Sequence, residues 1–252
     1  MLSVALYALL KAKNNTYWLF AAGLALGYSY FARPTNSLAI IFFSLYVLIN
    51  HWRKITIYIA GLLIVLIPFG LFNYHLYHHL ISPYYEPAQL NVGGNSFLGE
   101  ALAANLVSPS RGLFVFSPVL IFSVAGIIIL VRERRFTLLD GALVLIILSH
   151  YYIISSISTP YAGWSFGPRY FTDMIPFFIY FLVFFMQYLS EMKTGALKYL
   201  FGVLFLLTTS ASFFIHYKGA THPDTFFKWN GEPDITDHPE KYWDWHDLQF
   251  MR

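Results

Sequence analysis

The stretch from Ile55 to Tyr77 carries no Asp, Glu, Lys or Arg. A helix of that length covers the hydrocarbon core of a bilayer, about 30 Å thick. Six further apolar segments resemble it, and together the seven fall at 17–32, 37–50, 55–77, 113–131, 137–157, 171–190 and 197–217. Backbone in lipid must satisfy its own hydrogen bonds, so segments of this kind are helices or barrel strands. The uninterrupted run Ile127-Ile128-Ile129-Leu130-Val131 lacks the alternation of a barrel strand. The fold class expected is therefore all-α, a polytopic membrane bundle of about seven transmembrane helices. It carries a long outer loop (78–112) and a short outer C-terminal tail. The expected division is a helix bundle at 1–220 and an extracytoplasmic aromatic-rich tail at 221–252. Composition agrees, with 57% hydrophobic and only 12% charged residues, against about 25% charged in soluble domains.

The chain has no cysteine, which excludes disulfides, thiol catalysis and thiolate metal sites. A net charge of +3 without a long basic run gives no footprint for nucleic acid. Met1 to Leu10 is apolar, but Lys11 and Lys13 follow it, the reverse of a signal peptide. That stretch reads as the end of a helix that begins upstream.

Alternating the loops puts nine basic residues on one face (Lys11, Lys13, Arg53, Lys54, Arg132, Arg134, Arg135, Lys193 and Lys198) and five on the other (Arg33, Arg111, Arg169, Lys218 and Lys228). The positive-inside rule makes the richer face cytoplasmic. The outer face then holds the uncommon residues. Arg33, Arg111 and Arg169 each adjoin a proline or glycine at a helix end. Arginine binds phosphate bidentately and stays charged when desolvated, and Ser108-Pro109-Ser110-Arg111-Gly112 precedes a helix, where backbone N–H groups favour an anion. The plain alternative is that each snorkels or caps a helix.

The acidic candidates are Glu86, Glu100 and Asp173. Glu100 suits a base or a sugar ligand. Asp173 stands at i,i+4 from Arg169, the spacing of a helical salt bridge. His75 and His79 would share a helix face, as metal ligands or as interfacial histidines. Gly23-Ala-Leu-Ala-Gly27 reads as a small-residue packing face. The tail segment Tyr242-Trp243-Asp244-Trp245 is too aromatic for disorder and should dock on the protein.

Several motifs, taken in order, resemble one family. They are Arg33-Pro34-Thr35-Asn36, Asn95-Ser96-Phe97-Leu98-Gly99-Glu100, Ser108-Pro109-Ser110-Arg111-Gly112 with Phe116-Ser117-Pro118, Gly163-Trp164-Ser165-Phe166-Gly167-Pro168-Arg169-Tyr170, and Trp243-Asp244-Trp245 with Gln249-Phe250. The family is the bacterial GT-C type membrane glycosyltransferases, related to protein O-mannosyltransferases and the lipid A aminoarabinose transferase. The resemblance implies transfer of a sugar from a polyprenyl-phosphate donor to a lipid, glycan or protein acceptor. That transfer takes place on the periplasmic or extracellular face of a bacterial plasma membrane. Arg111, Arg169, Arg33 and Ser110 would bind the donor phosphate, and Trp164, Tyr170 and Asn95 would line the substrate pocket. No cofactor is implied, and no metal ligand is assigned. The family's acidic base sits in its first outer loop, whereas the corresponding Arg33 to Asn36 has no acid, and the matching motifs belong to the family's C-terminal half. Glu100 and Asp173 stand as the candidate acids. The alternatives are a non-catalytic subunit that binds a lipid phosphate, or a flippase for a lipid-linked sugar. The latter would need a polar path, and mid-span only Asn73 and His150 supply one.

Overall fold

The computed structural model describes every residue except 84–90, 158 and 236, so the candidate Glu86 lies outside the described residues. Among the described residues the regular structure is helical. The extended pairing is limited to an isolated bridge between Gly231 and Asp234. The chain divides into two units, residues 1–92 with 137–150 and residues 93–136 with 151–252.

The first unit contains α1 (Leu2–Ala12), α2 (Trp18–Ala32), α3 (Ser37–His51), α4 (Ile55–Tyr77) and the first part of α8 (Leu138–Ser156). On α1 the buried residues Leu2, Ala5, Leu6 and Leu9 recur at helical spacing and form a seam against α2. The closest approach is between α2 and α4. A Cβ added at Gly23 or Gly61 would fall under 3.0 Å from the backbone carbonyl of Tyr58 or Phe20, respectively. The two helix backbones touch there, as the small-residue face predicts. The turn after α2 is built from Pro34–Asn36. The buried Asn36 amide donates to Ser29 O at 3.0 Å, satisfying a carbonyl at the end of the helix. At the start of α8, Asp140 Oδ2 accepts from Thr137 N (2.7 Å) and Thr137 Oγ1 (2.6 Å), a capping pair closed by Asp140 N donating to Thr137 Oγ1 (3.4 Å).

The second unit contains α5 (Leu98–Val107), α6 (Leu113–Phe116), α7 (Ile121–Arg132), α9 (Ile175–Glu191), α10 (Ala196–Thr221) and α11 (Phe227–Gly231), with the end of α8. Here α7 and α9 meet backbone to backbone at Gly126 and Phe181, flanked by the Phe122 and Phe185 rings at 4.4 Å. The loop expected over 78–112 holds α5 within it, tied down where Asn105 Nδ2 donates to Ser155 Oγ at 3.0 Å. The aromatic tail from Thr221 onward docks in this unit, as its composition predicts.

Among the described residues, four apolar helical stretches are long enough to cross a membrane: Pro34–Tyr77, Leu138–Ser156, Arg169–Glu191 and Ala196–Thr221. The first is two helices. A continuous helix would separate Ser44 and Tyr58 by about 21 Å, yet their hydroxyls lie 2.8 Å apart because the chain turns at Trp52–Lys54. Three predicted spans come out short. The segments 17–32 and 37–50 each correspond to a 15-residue helix. The segment 113–131 breaks at Ser117, leaving a 12-residue α7 of about 18 Å. Pro118 explains the break, since it supplies no N–H and drives Ser117 out of the helical region.

The Gly23 contact predicts that Gly23→Leu places a side chain where backbone already lies. This costs about 1–3 kcal/mol or more. Thermal unfolding of the detergent-solubilised protein should show a lowered midpoint, while Gly202→Leu, in open space on α10, should leave it unchanged.

Candidate functional site

The site is built around a tight turn between α5 and α6. Ser108 Oγ accepts the N–H of Arg111 at 3.0 Å, and Gly112 N donates to Ser108 O at 2.9 Å. A Cβ at Gly112 would stand 2.5 Å from Ser108 O, so the turn requires glycine there. This buried turn delivers Arg111 into the interior, where the residue is 1% exposed.

All five guanidinium donors of Arg111 have protein acceptors. Nε donates to Tyr161 O (2.9 Å). Nη1 donates to Ser110 O (2.8 Å) and Gln249 Oε1 (3.1 Å). Nη2 donates to Gly163 O (2.9 Å) and Asn230 Oδ1 (3.1 Å). The cation also lies 5.3 Å from the Trp229 ring centroid and 5.5 Å from that of Tyr242. Burial pulls its pKa down to about 10, with Tyr242 opposing the shift and Arg169 adding to it, so the group remains a cation at neutral pH. No carboxylate is among these partners; the charge is balanced by carbonyl and amide oxygens and by π faces. The donors of Arg111, expected to face a donor phosphate, are engaged within the protein in this structure. As placed, no N–H of its side chain is left for an external anion. Ser110 is likewise engaged, its Oγ donating to Tyr242 O at 3.0 Å.

These bonds hold the segment from Tyr161 to Arg169. Ala162, Gly163 and Gly167 all have positive φ, at 65°, 54° and 57°, and Ala162 adopts that conformation without the freedom of glycine. Gln249, fully buried, receives Gly167 N at 3.0 Å and donates to Ser165 O at 2.7 Å. Asn230 donates to Ser165 O at 3.2 Å and to Phe226 O at 2.6 Å. Lys241, also buried, donates to Trp229 O and to Pro233 O (2.9 Å), and burial lowers its pKa. Sequence reasoning named Gln249 only within a motif and did not single out Asn230 or Lys241. A buried amide beside a buried arginine leaves no periodic signal.

The clamped segment borders two concave surfaces. The first is a groove of about 580 Å³. Ile175, Ile179 and Leu182 of α9 form one wall at helical spacing, and Phe205, Thr209, Ser212 and His216 of α10 the other. Its floor includes Ser117, whose Oγ lies 2.9 Å from His216 Nε2. Arg169 is on its lining, exposed, with its guanidinium 5.7 Å from the Tyr170 ring centroid. His216 was not anticipated as a site residue.

The second surface is a cleft of about 670 Å³, lined by Asn95, Glu100, Tyr161, Glu240, Tyr242 and Trp243 among others. Trp243 Nε1 donates to Glu100 Oε1 at 3.1 Å, and the Tyr161 and Tyr242 rings lie 4.1 Å apart. Burial pushes the Tyr161 pKa up to about 12, aided by the Glu100 charge and Tyr242.

The remaining expected residues fall as follows. Asn95 lines the cleft, with its side chain tied to Ser155 O (2.9 Å) and Phe97 N (2.9 Å). Tyr170 lies against Arg169, and Trp164 Nε1 donates to Asp234 Oδ1 at 3.1 Å. Asp173 sits on a 3-10 turn, Arg169–Met174, so the assumed α-helical i,i+4 relation with Arg169 does not apply. Arg33 belongs to the first unit. The shared face of His75 and His79 is also corrected, because α4 ends at Tyr77 and His78 turns left-handed with φ 58°. No family model, curated protein or solved structure matches the chain.

Replacing Arg111 by alanine would orphan several buried oxygens, and by lysine would lose the planar five-donor fork. Arg111→Ala is expected to destabilise the second unit by about 1–3 kcal/mol for each buried oxygen it leaves unpaired, and Arg111→Lys to recover only part of it. Denaturant or heat unfolding followed by tryptophan emission would measure both, with Arg169→Ala as the near-neutral exposed control.

Proposed function

We propose that this chain is the lipid-phosphate-binding and transfer part of a multi-pass membrane glycosyltransferase. On this reading it uses a polyprenyl-phosphate sugar at the outer face of a bacterial plasma membrane. The observation that supports this most is the groove between α9 and α10. It offers apolar walls of the kind an isoprenoid chain buries against, and Arg169 at its edge stays exposed with donors for a phosphate. The family resemblance points the same way, but the division of labour differs from the one expected of it. Arg169 takes the direct anion contact, and Arg111 fixes the segment from which Arg169 projects.

In the transfer step a base accepts the acceptor hydroxyl proton as that oxygen bonds the anomeric carbon. The bond from that carbon to the phosphate oxygen breaks, and its electron pair leaves with the polyprenyl phosphate. Arg169 stabilises the charge that gathers there. A second reading has one observation in its favour. Among the described residues lining the groove there is no Asp or Glu, which suits a subunit that binds a lipid phosphate without turning it over.

The Arg169→Ala variant tests the assignment. Charge-assisted hydrogen bonds of about 1.5–3 kcal/mol would be lost, so binding of undecaprenyl phosphate in nanodiscs should weaken about ten- to a hundredfold. Arg169→Lys should restore part of that. Unchanged affinity in Arg169→Ala would remove Arg169 from the site. Wild-type binding without transfer from a polyprenyl-phosphate sugar would select the second reading.

A further inference from the structure

The cleft beside Tyr161 is not used by the phosphate chemistry above. Its walls combine two kinds of surface that rarely occur together by packing alone. One is aromatic, where Tyr161, Tyr242 and Trp243 present ring surface. The Trp243 indole is held at its edge by the bond to Glu100 and packs against the cluster of Trp229, Ile235 and Tyr242, and the rest of this half-buried ring lines the cleft. The other is anionic. Glu100 and Glu240 line the same cleft. One carboxylate oxygen of Glu100 accepts from Trp243 (3.1 Å), which leaves its second oxygen to accept hydroxyl protons, and Glu240, paired with His238 (2.8 Å) and with its own backbone N–H, stays exposed with acceptor capacity to spare. Lys241, next to Glu240 in sequence, donates instead to the carbonyls of Trp229 and Pro233. The cleft thus pairs apolar ring faces with hydroxyl acceptors, and its carboxylates repel anions. A pyranose has the matching surface, with C–H groups on its faces and hydroxyls around its edge. The volume, about 670 Å³, falls within the range of small-molecule sites.

We propose that this cleft binds a neutral carbohydrate, stacked on Trp243 and hydrogen-bonded through its hydroxyls to Glu100 and Glu240. The binding claim stands on the cleft alone. Naming that carbohydrate as the transfer acceptor rests on the reading given under Proposed function. The cleft and the groove both take residues from the segment that Arg111 clamps, so one support would set the geometry of each.

Saturation-transfer NMR on the protein in nanodiscs would test binding, with cellotetraose, maltotetraose and mannotetraose as neutral probes and tetralysine as a cationic one. At least one tetrasaccharide should receive saturation on its ring protons. The signal should fall at least tenfold in Trp243→Ala and in the shape-preserving Glu100→Gln, and should persist in Trp243→Phe. It should also persist in Trp245→Ala, an exposed tryptophan outside the cleft lining. No transfer to any tetrasaccharide, equal transfer in wild type and Trp243→Ala, or binding of tetralysine alone would overturn the proposal. Saccharide binding that survives while undecaprenyl phosphate binding fails would strike only the donor reading. The reverse result would strike only this one.

Discussion

A guanidinium buried without a carboxylate is unstable unless every donor finds an acceptor, and in this protein five oxygens converge on Arg111 to satisfy that demand. They come from three separate stretches of chain: the turn before α6, the segment from Tyr161 to Gly163, and the tail at Asn230 and Gln249. Each stretch is short and irregular, with little regular hydrogen bonding of its own. The arginine does for them what a ladder does for strands, supplying fixed donors to otherwise unpaired carbonyls. Removing the charge would leave the buried Ser110 O and Asn230 Oδ1 without their partner, at about 1–3 kcal/mol for each unsatisfied group, while Gln249 Oε1 keeps its bond from Gly167 N.

The groove and the cleft border the segment that this clamp holds. The backbone from Tyr161 to Gly167 adopts left-handed conformations at three positions, and at Ala162 this is a strain that persists only where surroundings fix it. Gln249 meets the same segment from the opposite side, receiving Gly167 N while it accepts from Arg111. Downstream, Phe166 is wedged edge-on against Phe116 with ring centroids 5.2 Å apart. A Cβ at Gly219 would collide with the Phe166 ring. Arg169 follows immediately and reaches the groove. Contacts therefore run from the buried cation through Gln249 to Gly167, whose carbonyl receives the Arg169 N–H at 3.0 Å.

Much of the helical content was legible in the sequence, because apolar length is a one-dimensional property. The Gly23–Gly27 face was legible for a similar reason, since a small residue at a four-residue spacing has few other uses in an apolar helix. Lengths were harder to read. The stretch 113–131 is apolar throughout, yet Pro118 divides it, and hydropathy registers composition without the missing N–H. The helical relations assumed for His75 with His79 and for Asp173 with Arg169 failed where the backbone leaves the α region. The site itself was half legible. Glycine- and proline-flanked arginines mark the turn before α6 and the segment bordering the groove, but whether an arginine points into the protein or out of it depends on partners more than a hundred residues away, such as Asn230 and Gln249. No local pattern encodes that choice.

Hydrogen exchange at Gly167 tests the role given to Arg111 most directly, because that amide donates to Gln249 Oε1, the same oxygen that accepts from Arg111. Mass spectrometry of wild type and Arg111→Met in nanodiscs would follow peptides spanning 159–169 beside peptides from α7 and α9. The account predicts that protection of 159–169 is lost in the variant while α7 and α9 exchange as in wild type. Unchanged protection of 159–169 would contradict it, and would mean that the segment holds its shape without the buried cation.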